Sequence, residues 1–129
     1  MNCYSFHKLN FNKGVYDESI DATYIITMED SFERHKNITN QLKKLRPTKL
    51  VYVVFNKGFR KCKKNLPENN THFDLIHCNL EIFKHSLKEN YSNILVLEDD
   101  FIIEDSATDI KHINEINKFC LQRKNKKYI

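Results

Sequence analysis

The chain has 129 residues, 40% of them hydrophobic and 12% aromatic, and a formal net charge of +4. That is enough for one packed core, too little for two, and too apolar for wholesale disorder. Its two glycines, Gly14 and Gly58, cannot write a G-x-G-x-x-G fingerprint or a glycine-rich Walker loop, so any phosphate chemistry here needs side chains or a metal.

The four cysteines, Cys3, Cys62, Cys78 and Cys120, are far apart and form no C-x-x-C pair. Zinc-site spacing is therefore absent, and reduced thiols are the expectation. Residues Met1 to Gly14 lack the apolar segment of a secretory signal, and no stretch is long enough to span a membrane. A cytoplasmic protein is expected on those grounds. The N-x-T triplets at Asn37 and Asn69 then read as chance matches rather than glycan sites.

Residues 1–22 show weak periodicity and read as a loose leader with room for one short strand, whereas residues 23–129 carry the ordered pattern. Thr23-Tyr24-Ile25-Ile26-Thr27-Met28 is a compact β-branched run of the buried-strand type. Asp30, with Glu33 three residues on, forms a capping-box arrangement. Phe32, His35, Ile38, Leu42 and Leu45 then give a helix one buried stripe, and Pro47 ends it. Leu50 to Phe55 reads as a second buried strand, followed by a lysine-rich loop over 56–70. Phe73 to Tyr91 reads as a helix burying Phe73, Ile76, Leu80, Phe83 and Leu87, which leaves His77, Glu81 and His85 on its polar flank. Ile94-Leu95-Val96-Leu97 forms a third strand, with Phe101-Ile102-Ile103 as a short continuation. Ser106 can cap a last helix carrying Ile110, Ile113, Ile116 and Cys120, before a basic tail from Arg123 to Lys127. Strand and helix alternating three times is an α/β layout, a mainly parallel sheet with helices on both faces.

The strongest local chemistry lies at Glu98-Asp99-Asp100, directly after an apolar strand. Ligands of open parallel sheets bind beyond the carboxyl ends of the strands. Three acids there repel one another unless a cation neutralises them, and hard oxygen ligands suit Mg2+ or Mn2+, which in turn bridge diphosphate oxygens. The plain alternative is a solvated acidic turn. Arg34, one helical turn past the end of the first strand, can pair with a phosphate or sit on the surface. The segment Asn56 to Lys64 combines five cations with Phe59; it suits a nucleic acid, a nucleotide diphosphate, or merely a solvated loop. No G-x-S-x-G is present, and no cysteine or serine stands with a recognisable base beside it.

Four segments occur in a particular order: Tyr24-Ile25-Ile26 with Glu33-Arg34, then Val53-Val54-Phe55-Asn56-Lys57-Gly58-Phe59, then Asn79-Leu80-Glu81-Ile82-Phe83-Lys84-His85, then Leu95-Val96-Leu97-Glu98-Asp99-Asp100-Phe101. In that order, from about Thr23 to the C-terminus, the chain resembles glycosyltransferase family 25. That group includes lipooligosaccharide and procollagen galactosyltransferases, and the likeness is greatest to the versions of large DNA viruses. The resemblance implies a GT-A type, Rossmann-like fold and a nucleotide-diphosphate sugar as donor, with a UDP-sugar favoured. It also implies Mn2+ or Mg2+ at the acidic motif and transfer to a hydroxyl acceptor. Carried over by position, Asp100 is the leading metal ligand. Glu98 and Asp99 contact the donor or help to hold the metal, and Thr27 and Arg34 lie near the nucleotide. Bacterial members often have Ser-His where Cys78-Asn79 stands here.

Domains of that family continue well past the acidic motif into the acceptor site, whereas Lys127-Tyr128-Ile129 reads as the start of a next strand. The expectation is therefore a truncated, donor-binding N-terminal half. A complementing C-terminal half or self-association would cover its open edge. Two other readings compete. One is a non-catalytic remnant that binds a partner or a nucleotide. The other, ranked last, is a small basic nucleic-acid-binding protein, because buried strands ending in acids present a poor surface to a polyanion.

Overall fold

The structure, a computed structural model, describes residues 2–124. Four strands form one sheet: β1 (Tyr4–Asn10), β2 (Ala22–Met28), β3 (Leu50–Asn56) and β4 (Ile94–Glu98), in the spatial order β1-β3-β2-β4. Three helices accompany them, α1 (Phe32–Lys44), α2 (Thr71–Lys88) and α3 (Ile110–Lys124), with a 3-10 turn at Asp105–Thr108. Strands β2, β3 and β4 run parallel, with Ile25 opposite Val53 on one side and Leu97 on the other. Parallel neighbours need long crossovers, and α1 and α2 supply them. The α/β class and the mainly parallel sheet expected from the sequence are present.

The leader is not loose. Residues 4–10 pair antiparallel along the whole of β3, from Tyr4 opposite Asn56 to Asn10 opposite Leu50. Its periodicity is weak because β1 is an edge strand in which only Tyr4 is buried and the adjacent His7 and Lys8 break the alternation. The pairing carries Cys3 to the loop after β3, where it forms a disulfide with Cys62, the Cα atoms 5.7 Å apart. The expectation of four reduced thiols is thus corrected for this pair; Cys78 and Cys120 remain thiols. Strand register, not sequence spacing, brings the two sulfurs together.

Alternation along the strands sorts the core into two halves. Tyr24, Ile26, Tyr52 and Val54 pack with Cys78 and Ile82 of α2. Ile25, Val51 and Val53 pack with Ile38 and Leu42 of α1. The two helices therefore cover opposite faces. Ser31, rather than Asp30, occupies the cap position of α1, and no side chain caps it. Asp30 is instead drawn to Lys61, 2.6 Å away. Phe32 is 70% exposed, so the buried stripe of α1 begins at Ile38.

Helix α2, capped by Asn70 at 2.9 Å from the Phe73 N–H, turns a different face inward from the one its apolar stripe suggests. Ile76, Leu80, Phe83 and Leu87 are exposed, whereas Asp74, Cys78, Ile82 and Ser86 are buried. The cause is the sheet surface beneath, which presents tyrosines whose hydroxyls need partners. Tyr4 Oη lies 2.7 Å from His77 Nδ1, Tyr24 Oη lies 2.6 Å from His85 Nδ1, and Phe6 stacks on the His85 ring at 4.6 Å. The two histidines are therefore core-facing partners rather than a polar flank.

Phe101-Ile102-Ile103 forms no strand. The stripe expected on α3 is largely uncovered, with Ile110 and Ile116 exposed. Its anchor is the buried Asn117, which accepts from Ser19 Oγ at 2.6 Å and donates to the Val15 carbonyl at 3.0 Å. Apart from the backbone of residues 123 and 124, the basic tail and Lys127-Tyr128-Ile129 lie outside the described residues. No described helix is long and apolar enough to cross a membrane.

Candidate functional site

From β2 the chain passes through α1 to β3 on one side, then returns through α2 to β4 on the other. The connections therefore diverge at the carboxyl ends of β2 and β4, the place where open α/β sheets hold ligands. A cleft of about 600 Å³ opens there, within the range of small-molecule sites. Its walls come from the end of β2 (Thr27), the end of β4 (Glu98 and Asp99), the loop from Asn56 to Lys61, and the first turn of α2.

The acidic wall is built by polar bonds across the sheet edge. Buried Thr27 donates its hydroxyl to Asp99 Oδ2 at 2.7 Å. The Asn37 amide of α1 donates to the carbonyls of both Asp99 and Phe101 at 3.0 Å. Gln41 Oε1 accepts from the Ile103 N–H at 2.7 Å. Arg34 stands 3.8 Å from both Asp99 and Asp100, closer to a long ion pair than to a hydrogen bond.

The opposite lip is basic, formed by Lys57, Arg60 and Lys61. Lys61 reaches Asp30, and this exposed pair pulls the Asp30 carboxyl below its ordinary range, first through the hydrogen bond and then through the charge. Lys57 and Arg60 make no ion pair among the described residues. Gly58 turns the loop with φ of +79°, and an added Cβ there would press on the end of the Met28 side chain.

Beneath this lip runs a closed polar network. Lys64, its side chain 1% exposed, donates to Asp74 Oδ1 at 2.5 Å and to Asn56 Oδ1 at 2.6 Å. Asn56 Nδ2 donates to Asp74 Oδ2 at 2.8 Å, and the Gly58 N–H donates to Asn56 Oδ1 at 2.9 Å. The network ties the loop to the first turn of α2, so the lysines at the lip project from a fixed base.

Set beside protein-family models, curated proteins and solved structures, the chain matches none of them. The site is therefore argued from its own geometry.

Of the residues expected at a site, Thr27, Arg34, Asp99 and Asp100 meet at one corner, and Glu98 joins Asp99 and Thr27 on the cleft wall. Asp100 does not line the cleft; it pairs with Arg34. Among the described residues, no three His, Cys, Asp or Glu side chains converge to cage a metal ion. Glu98 and Asp99 still present hard oxygens to the cleft, a donor set that suits Mg2+ or Mn2+ when ligand phosphates supply the remaining positions. Nothing in the sequence singles out Gln41 or Asp74, and nothing there assigns Asn37, Asn56 or Lys64 the supporting roles they have in the structure. The one usable trace is an asparagine and a glycine flanking Lys57 at the end of an apolar strand, which marks a turn whose backbone needs a side-chain acceptor.

Proposed function

We propose that this chain is the donor-binding part of a GT-A type glycosyltransferase domain of the family 25 kind, taking a nucleotide-diphosphate sugar, with UDP as the favoured nucleotide. One observation carries the reading. A cleft at the topological switch point has carboxylates, Glu98 and Asp99, on one wall and Lys57, Arg60 and Lys61 on the other. A diphosphate fits between such walls, because the cations meet its outer oxygens and a divalent ion lets the carboxylates meet the rest. When bound, that ion supplies charge stabilisation for a departing diphosphate. Phe59 offers a ring on which a nucleobase can stack. Thr27 fixes the Asp99 carboxylate; Glu98 and Asp99 would hold a divalent ion, while Asp100 faces Arg34 at 3.8 Å.

Transfer to an acceptor hydroxyl requires more surface than the cleft alone. The edge of β4, unpaired among the described residues, and the exposed stripe of α2 are where a complementing half or a second copy would add it. Those same features favour a second reading, nucleotide binding without transfer by this chain alone.

Calorimetric titration with UDP, with and without Mn2+, tests the donor site. Wild type should bind in a Mn2+-dependent manner, and the exposed-site variant Glu98→Gln should weaken binding about tenfold or more, about 1.4 kcal/mol. Lys57→Ala/Arg60→Ala should weaken binding with or without the metal. Folded protein that binds no UDP under any of these conditions would remove the proposal.

A further inference from the structure

On the face of the sheet covered by α1, a second groove of about 440 Å³ runs between α1 and the neighbouring strands β1 and β3. Its walls are apolar, made by Leu9 and Phe11, Leu42 of α1, and Val53 and Phe55 of β3. Phe55 closes one end, with the rings of His35 and His7 set edge-on to it at 5.1 and 6.4 Å. Lys43 and Arg46, three residues apart at the end of α1, stand at the rim. The Arg46 guanidinium lies over the Phe11 ring, 5.0 Å from its centre, which holds the charge beside the apolar floor.

The charge pattern of this groove is one-sided. The chain carries 17 acidic residues, yet none lines the groove. Neither Lys43 nor Arg46 makes an ion pair among the described residues. Each therefore keeps its capacity for an incoming anion. The ligand that such a site complements is long, apolar and singly anionic at one end. An alkyl chain gains by covering the Leu9, Leu42 and Val53 side chains, and a carboxylate can take a forked pair of bonds from an arginine.

We propose that the groove binds a medium-chain alkyl carboxylate, its chain along Leu9, Leu42, Val53 and Phe55 and its head group between Lys43 and Arg46. This site is separate from the cleft at Glu98 and Asp99, because the two share no lining residue.

The test is calorimetric titration of the full chain with dodecanoate, kept below its micellar concentration. Dodecanol and dodecyltrimethylammonium serve as uncharged and cationic counterparts. Wild type should take up one dodecanoate saturably and bind dodecanol at least tenfold more weakly. Lys43→Glu/Arg46→Glu alters only exposed side chains, and circular dichroism checks that it folds. It should lose at least tenfold in dodecanoate affinity, whereas Glu98→Gln should lose none, so failure here and failure of the UDP site are read separately. Equal binding of the three probes, or dodecanoate affinity untouched by the charge reversal, would overturn the proposal. So would concentration-dependent dimerisation that blocks dodecanoate uptake, since the groove would then be an interface between copies.

Discussion

Replacing Lys64 with methionine probes the base on which the basic lip stands. The Lys64 ammonium donates to Asp74 at 2.5 Å and to Asn56 at 2.6 Å, and it sits 4.4 Å from the centre of the Tyr4 ring. Methionine keeps most of the volume, so a cavity contributes little. The loss comes from stranding the Asp74 carboxylate, 7% exposed, with only the Asn56 amide at 2.8 Å and its place in the first turn of α2. Breaking a buried ion pair costs about 3–5 kcal/mol. The surviving helix-terminus interaction, worth about 0.3–1 kcal/mol, sets the expected loss near the lower end, about 3 kcal/mol. A domain stable by about 5–15 kcal/mol would feel that clearly in a urea unfolding curve. The companion variants Asp74→Leu and Lys64→Met/Asp74→Leu complete a cycle. The double variant should recover about half or more of the summed single losses, short of full recovery because the Asn56 amide then lacks an acceptor. A single-variant loss below about 1 kcal/mol, or strict additivity in the double, would refute the view that this pair is buried and mutually dependent.

Three further outcomes follow from other parts of the fold. The Cys3–Cys62 bridge closes a loop with a sequence separation of 59, so Cys3→Ala/Cys62→Ala should lose up to about 4 kcal/mol in urea unfolding; an unchanged midpoint would contradict the bridge. Burial holds the His85 imidazole below its ordinary value of 6.5, so the folded state takes up a proton less readily than the unfolded one. The associated stability is complete above about pH 6.5 and is lost as pH falls below it; unfolding midpoints from pH 7.5 to 5 should decline in wild type and less steeply in His85→Gln. Removing the Asn37 amide in Asn37→Ala frees two carbonyls of the acidic turn. It should cost about 1–2 kcal/mol and weaken Mn2+-dependent UDP binding, as read by the same titration.

Strands β2, β3 and β4 were legible because each is a short run rich in β-branched, aliphatic and aromatic residues, the composition a strand favours. The acidic turn was legible for the same reason, since such a strand must end in something that meets water. β1 was not, because half of an edge strand's side chains point outward and polar ones there cost nothing. The face of α2 was misjudged since apolar periodicity presumes an apolar surface opposite it. Here Tyr4, Tyr24 and Tyr52 lie opposite, and their hydroxyls draw His77, His85 and Tyr91. Pairings between distant residues, Cys3 with Cys62 or Asn37 with the turn after β4, leave no periodic trace at all, for they depend on the register of two elements rather than on either alone.

Strand β4 is four aliphatic residues and a glutamate with, among the described residues, a neighbour on one side only, the kind of edge that recruits copies of itself. In a parallel, in-register stack each Glu98-Asp99-Asp100 would lie directly over the next, and like charges so placed repel. Glu98, Asp99 and Asp100 would then serve as gatekeepers against fibril growth. Neutralising them by substitution should shorten the lag before aggregation.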